Sequence, residues 1–406
     1  MNVPATIEAV RENQDAQAPE LFAWSLIRTL VAFDTTSRES NLALIDWVRE
    51  YLAAHGIEST LTFDDTRRKA NLFATLPASD GEKVSGGIVL SGHTDVVPVD
   101  GQPWSTNPFE ATRIGDKVYG RGVTDMKSFS ATGLAFVPEF LRRGLKRPLH
   151  FALSYDEEIG CIGVRRLVAD IVRRGVKPQG AIVGEPTGMK LVVAHKGKKS
   201  WRCRIRGFEA HSSLTPHGVN AVQIACEIVT YLTSMARAFR DQGPYDSAYD
   251  VPYTTVHTGV IHGGTALNIV PRDCWFDFEF RHLPLDNPDE LFAEVKGYAD
   301  RFVPEMRRIA SDTHIEFDTL SATPGFDAGD ASAVAELGRH CLGEDVHCKV
   351  SFGSEAALFD GAAIPSIVCG PGHIAQAHQP NEWVTVEQLA RCEAFMRRLA
   401  DRLCVS

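Results

Sequence analysis

The chain has 406 residues, 42 Lys+Arg against 52 Asp+Glu, with 44% hydrophobic and 23% charged residues, the proportions of a globular protein of two or three domains. A formal net charge of −10 argues against a nucleic-acid partner, which needs a concentrated basic face. No run approaches the roughly 20 apolar residues of a membrane helix, and the opening MNVPATIEAVRENQDAQAPE lacks an apolar core behind a basic start, so neither a membrane partner nor a secretory signal is expected. Nine cysteines without a C-x-x-C pair read as reduced thiols and a cytoplasmic location.

Along the chain, Ser40 is placed to cap a helix in which Leu42, Ile45, Val48 and Leu52 recur at helical spacing until Gly56. Strand-like NLFATL and GGIVLSGHTDVVPV follow, then a helix-period stretch over about 128–145. Next come LHFALSY, a helical GCIGVRRLVADIVRRG, and GAIVGEP. Near-continuous apolar strands separated by helices are what a sheet covered on both faces requires. After about His195 the order becomes strand KSWRCRIRGF, a helix over 219–240, strands TTVHTGVIH and CWFDFEFRHL, helix PDELFAEVKGYADRF and strand THIEFDTL. That is β-α-β-β-α-β, the split βαβ sandwich. Helix–strand alternation resumes after about Leu320 through ASAVAELGRH, IPSIVCG and a final amphipathic helix from Val386. The expected fold is α/β, with a catalytic domain over 1–194 and 321–406 and an inserted α+β sandwich domain over 195–320.

Five stretches concentrate His, Asp and Glu at strand ends, where α/β sheets place ligand-binding residues. In SGHTDVVP, His93 and Asp95 share a face of an extended strand, so one can ligate a metal while the other accepts the remaining ring N–H. In SYDEEIGCIG, Glu157 and Glu158 point to opposite sides and should divide the work, one on metal and one on water; a solvated acidic turn ahead of a helix would read the same. Asp125 in GRGVTDMKSFSATG is a ligand or a helix cap. Glu185 in IVGEPTG ends a buried strand, an expensive place for a carboxylate without a positive partner. His373 and His378 lie in the Gly- and Pro-rich GPGHIAQAHQPNEWV, a loop of the kind that carries function on a rigid sheet.

Taken together, the imidazoles and carboxylates make a nitrogen–oxygen site suited to Zn, Mn or Co. With Asp125 bridging, His93 and Glu185 hold one ion, and Glu158 and His378 the other. Two divalent charges then roughly cancel three carboxylates and a bridging hydroxide. Such a pair activates water and stabilises a tetrahedral oxyanion.

In this order SGHTDVVP, GRGVTDMKSFSATG, DEEIGCIG, VGEPT and GPG…AHQPNE span nearly the whole chain, and they resemble the dinuclear-zinc aminoacylase and peptidase family. DEEIGCIG, SFGSEAALF and CGPGHIAQAHQPNE are similar to its amino-acid deacylase members. The resemblance implies a zinc-peptidase-like α/β/α catalytic domain with a mixed sheet, and two Zn2+ ions with Co2+ or Mn2+ as substitutes. It puts His93, Asp125, Glu158, Glu185 and His378 on the ligand positions, Asp95 on the acid that orients His93, and Glu157 on the general base. It also implies a homodimer through the inserted domain, with His211 in GFEAHSS donating to the oxyanion of the partner subunit's site. Asn268 in GGTALNIVP and Arg281 in FEFRH fall on substrate-contacting positions.

Arg281 suits a free α-carboxylate through its guanidinium fork, although a strand-end arginine could pair with Asp277 or Glu279 instead. A basic substrate side chain such as ornithine's needs an anion, and Glu355 in SFGSEAALF is the candidate by resemblance; a surface helix acid is the plainer reading. A succinyl substrate would want cations, for which Lys196, Lys198 and Lys199 form the nearby cluster. The expected activity is hydrolysis of a small-molecule N-acyl amino acid. Desuccinylase or exopeptidase chemistry is the nearest rival, and a metal-stabilised binding protein without turnover is the reading of another class.

Overall fold

The computed structural model describes residues 20–329 and 331–405, so the N-terminal stretch read as lacking a signal lies outside the described residues but for Glu20. The chain forms two compact units. One runs to Ala194 and takes in Ala328–Cys348 and the chain from Ser354; the other is His195–Asp327 with Lys349–Gly353.

Strands β1 (Ser59–Phe63), β2 (Ala70–Leu76), β3 (Ile88–His93), β4 (Thr112–Ile114), β5 (Lys117–Tyr119), β6 (Leu149–Ser154), β7 (Gly180–Val183) and β8 (Leu191–His195) lead up to the second unit. That unit holds β9 (Gly197–Arg206), β10 (Thr255–Gly263), β11 (Asp273–His282) and β12 (His314–Thr323). The short strands β13 (Phe326–Asp327), β14 (His347–Val350), β15 (Ser366–Val368) and β16 (Trp383–Thr385) follow.

In the first unit the sheet runs β1-β2-β6-β3-β7-β15-β8 from its β1 edge. β3 is parallel to β6 and β7, and β7 to β15, while β1–β2, β2–β6 and β15–β8 are antiparallel, so the sheet is mixed. β3, β6 and β7 are buried along their whole length, which is why their sequences are apolar runs rather than alternating ones. Parallel pairing sets Ser91 against Val183 and His93 against Ser154. The chain therefore leaves the same end of the sheet at Thr94–Asp95, Tyr155–Glu158 and Gly184–Glu185, the end at which α/β folds bind their ligands.

The helix expected over 128–145 is two helices, Lys127–Ala135 and Val137–Arg143. Pro138 in the first turn of the second has no N–H to give and its ring crowds the preceding turn, so the ladder breaks at Phe136. A small sheet, β16-β5-β4, pairs Trp383 with Tyr119 and so fixes the chain just after His378 to the chain just before Asp125.

In the second unit, β10-β11-β9-β12 form an antiparallel sheet with the helices Ala221–Gln242 and Pro288–Asp300, the split βαβ order. A further helix, Val303–Ile309, was not anticipated; it opens on a second proline near its first turn. β11 alternates, sending Cys274, Phe276, Phe278 and Phe280 into a core with Trp201 and Ile228. The fold is thus α/β with a mixed sheet and an inserted α+β unit. Among the described residues no helix is long and apolar enough to cross a membrane.

Candidate active site

The five residues singled out as metal ligands meet in the first unit. His93 Nε2 lies 2.8 Å from Asp125 Oδ1 and 3.8 Å from Glu185 Oε1. His378 Nε2 lies 3.2 Å from the other Asp125 oxygen, Oδ2, and 3.0 Å from Glu158 Oε2. Asp125 therefore stands between two histidine–carboxylate pairs, one oxygen toward each. Donor atoms of His93, Glu157 and Glu185, and of His93, Asp125 and Glu158, lie within 4.8 Å of one another.

Burial alone would lift Asp125, but hydrogen bonds from His378 and His93 hold its carboxyl well below the usual carboxylate range. Burial lifts the carboxyls of Glu157 to about 8 and Glu158 to about 7, and drives Glu185 well above its usual range. Burial alone would pull His93 down, but the Asp125 hydrogen bond and the surrounding carboxylates raise it instead. Hydrogen bonds to Asp125 and Glu158 lift His378 to about 10. Glu185 Oε1 is buried with no hydrogen-bond partner. A buried carboxylate oxygen without a hydrogen bond, among imidazoles and other carboxylates, is the environment a divalent cation relieves, and the donor set suits Zn, Mn or Co. The residues present fit a pair of such ions.

Asp95 works differently from the expectation. His93 Nδ1 is 2.8 Å from the Asp95 main-chain carbonyl, which can only accept, so Nδ1 carries the proton and Nε2 is left for a ligand. The Asp95 carboxylate is 3.8 Å from that ring. It accepts the backbone N–H groups of Glu157 and Glu158, at 3.0 and 3.3 Å, and the Ser37 hydroxyl at 2.7 Å. β3 ends on His93, so the strand alternation that would have aligned the two side chains stops there. Asp156, the first acid of the DEE run, sits at φ 56° and is taken up by Lys69.

Glu355 departs further from its expectation. It is fully buried, neither a surface acid nor a wall open to substrate, and the Ser91 and Ser154 hydroxyls donate to its carboxylate. Burial lifts it to about 7. His373 caps the short turn Ile374–Gln376, its Nδ1 accepting the Ala375 N–H at 3.1 Å.

In the second unit His211 is exposed and caps the turn Ser212–His217, its Nδ1 accepting the Ser213 N–H at 3.2 Å; the neutral ring therefore carries its proton on Nε2. Asn268 is exposed, and its carbonyl accepts from Ser212 N at 3.0 Å. Arg281 Nε is 3.0 Å from Glu279, the pairing foreseen as its alternative. The lysine cluster is dispersed among partners: Lys196 to the Tyr253 carbonyl at 2.5 Å, Lys198 to Glu279 at 3.6 Å, and Lys199 to Asp289. Two residues next to the cage escaped the sequence reading, Arg121 and Glu382. The available signal was their position, each four residues from a candidate ligand in the same motif.

A mixed sheet whose strand ends gather imidazoles and carboxylates defines an α/β protein with a candidate metal centre. Residues 89–402 match Peptidase family M20/M25/M40, and the chain belongs to that family. It is 32% identical over 378 residues to acetylornithine deacetylase of Pasteurella multocida, covering 93% of this chain and 95% of that one. Among solved structures, aminopeptidase PepT from Bacillus cereus is 22% identical with a TM-score of 0.72, covering 93% of this chain and 97% of that one. The M20 family metallo-carboxypeptidase Sso-CP2 from Sulfolobus solfataricus is 16% identical with a TM-score of 0.73, covering 94% and 99%. The chain is a hydrolase acting on amide bonds.

Proposed function

We propose that the chain is a dinuclear, metal-dependent deacetylase that converts N2-acetyl-L-ornithine to L-ornithine and acetate, a step of arginine biosynthesis, in the cytoplasm. The observation that carries the hydrolytic part is Asp125, whose two oxygens face His93 and His378 while Glu185 and Glu158 each accompany one of those histidines. In this reading His93, Asp125 and Glu185 hold one zinc, and Asp125, Glu158 and His378 the other, with cobalt or manganese as substitutes. Bound there, the ions would supply an acidified water and a polarised acyl carbonyl. Glu157 removes the proton of the attacking water and returns it to the leaving amine. Asp95 holds the Glu157–Glu158 main chain that aims both carboxylates.

The inserted domain, 195–320, mediates a homodimer in which His211 offers its Nε2–H to the oxyanion of the partner subunit's site. Asn268 and Arg281 meet the substrate, Arg281 at its α-carboxylate. The assignment of Glu355 to a basic side chain requires that its carboxylate, here buried and bonded to the Ser91 and Ser154 hydroxyls, become accessible to the substrate. The acetyl group and the ornithine rest on the acetylornithine deacetylase that is 32% identical across 93% of the chain.

The test is a panel of N-acetyl, N-formyl and N-succinyl amino acids assayed before and after chelation. N2-acetylornithine should exceed the succinyl compounds in kcat/KM by at least about tenfold, roughly what one well-matched group supplies. Activity should vanish with the chelator and return with zinc or cobalt. Preference for a succinyl substrate would replace the deacetylase reading by a desuccinylase one, and no hydrolysis of any member would favour a binding protein.

A further inference from the structure

Asp125 and His378 belong to segments far apart in the chain, and a buried ion pair joins those segments. Arg121 and Glu382 are each 1% exposed, with Nη1 and Oε2 2.7 Å apart. The second Glu382 oxygen, Oε1, accepts three main-chain N–H groups in one turn: Gly122 at 3.1 Å, Thr124 at 2.8 Å and Asp125 itself at 3.1 Å. The Glu382 carbonyl accepts the Gly120 N–H at 3.0 Å, and the Thr124 hydroxyl donates to the Trp383 carbonyl at 2.7 Å. From the other end, Arg121 Nη2 donates to Gln102 Oε1 at 2.7 Å, and Gln102 Nε2 donates to the His378 carbonyl at 3.2 Å. Arg121 Nη1 also reaches the Gln379 carbonyl at 3.5 Å.

We infer that Arg121 and Glu382 are a positioning pair that sets the separation between Asp125 and His378, and with it the geometry of the metal shared by Asp125, Glu158 and His378. This inference rests on the proposed ligand set. One carboxylate oxygen saturated by three N–H groups fixes the turn that ends in Asp125, so that side chain has a rigid base. The guanidinium balances the charge of Glu382 and, through Gln102, pins the main chain of His378. Neither residue touches the reacting atoms; both act through the ligands they hold. Partners of this kind outside the ligand shell commonly change metal affinity by about 10–100-fold when removed.

Glu382→Gln keeps the volume but spoils the pairing in either orientation. If its oxygen faces the turn, its NH2 meets the Arg121 donor; if it turns round, NH2 meets three N–H groups. Arg121→Lys keeps the charge and loses the fork that reaches Glu382 and Gln102 together. Gln102 is partly exposed, and Gln102→Leu cuts the link to the His378 carbonyl while leaving the buried pair intact.

The experiment titrates full-length apo-protein and the three variants with Co2+, following stoichiometry, affinity and the visible absorption of bound cobalt, beside kcat and KM on N2-acetylornithine. Wild type should take up two ions. Glu382→Gln and Arg121→Lys should bind one of them about 10–100-fold more weakly, with altered absorption and a fall in kcat larger than any change in KM. Gln102→Leu should show the same pattern at several-fold. Two ions bound with wild-type affinity and spectrum in all variants would overturn the positioning role while leaving the ligand set standing. Failure of the wild type to bind two ions would instead remove the ligand set on which the inference rests. Should either buried-pair variant not fold, Gln102→Leu decides: an unchanged cobalt spectrum and affinity there overturn the inference.

Discussion

Glu157 shares its cage with three other carboxylates, and a Cys161 thiol at 3.3 Å is its hydrogen-bond donor. Burial is the largest cause of its rise to about 8, with Glu158, Glu355 and Asp125 adding to it against His93. Only positive charge bound nearby keeps so many acids ionised together. Glu157→Gln removes the proton carrier and leaves all five candidate ligands in place. Metal content should stay at the wild-type level while kcat falls by about 10²–10⁴, the span general acid–base catalysis supplies. Near-normal turnover in that variant would take the base role away from Glu157. At this scale the sequence was readable where a residue's environment is local. His93, Asp125, Glu158, Glu185 and His378 each sit in a short motif at a strand or helix end, and each joined the cage. The burial of Glu355 was not legible, because the nine-residue stretch SFGSEAALF does not reveal what covers it. The role of Glu382 was not legible beyond its place four residues after His378, because the groups its carboxylate binds lie 257 to 261 residues away in sequence.

At the scale of elements, the sheet was legible because β3, β6 and β7 are buried on both faces and their composition says so. The break at Phe136 was less so, since the apolar period runs on through it while a proline inside the next turn ends the hydrogen-bond ladder; at Phe302 the helix end was read and the short helix after it was not. How closely helix and strand approach was not legible at all. At the end of β7, a Cβ on Gly184 would lie 2.0 Å from the ring of Phe129, on the helix Lys127–Ala135. That glycine lets the all-buried helix lie directly on the strand end that presents Glu185. Gly184→Ala forces the ring aside, and overpacking of this sort costs about 1–3 kcal/mol. Urea unfolding should show that loss, and cobalt titration should show weaker binding, because the displaced residue adjoins Glu185. Unchanged stability and affinity together would mean that the contact yields freely and that the glycine has no spacing role.

At the scale of the whole molecule, each unit has its own core. Leu90, Leu134, Phe151 and Ile182 belong to one; Trp201, Ile228, Phe276 and Phe280 belong to the other. All five candidate ligands are in the first unit. An ion that binds only the folded form stabilises it by RT ln(1 + [M]/Kd), about 2.7 kcal/mol at a hundredfold excess over Kd. Chelation should therefore destabilise the unit that carries the cage and leave the intrinsic stability of the other unchanged. Hydrogen exchange on the full chain resolves the two: after chelation, amides of β3, β6 and β7 and of 120–127 should lose protection, while those of β9, β10, β11 and β12 keep theirs. Equal loss in both sheets would mean that the units unfold as one body. No loss in either would mean that the caged acids hold no structural ion, since a buried carboxylate oxygen such as Glu185 Oε1 leaves the protein with a cost that only a bound cation offsets.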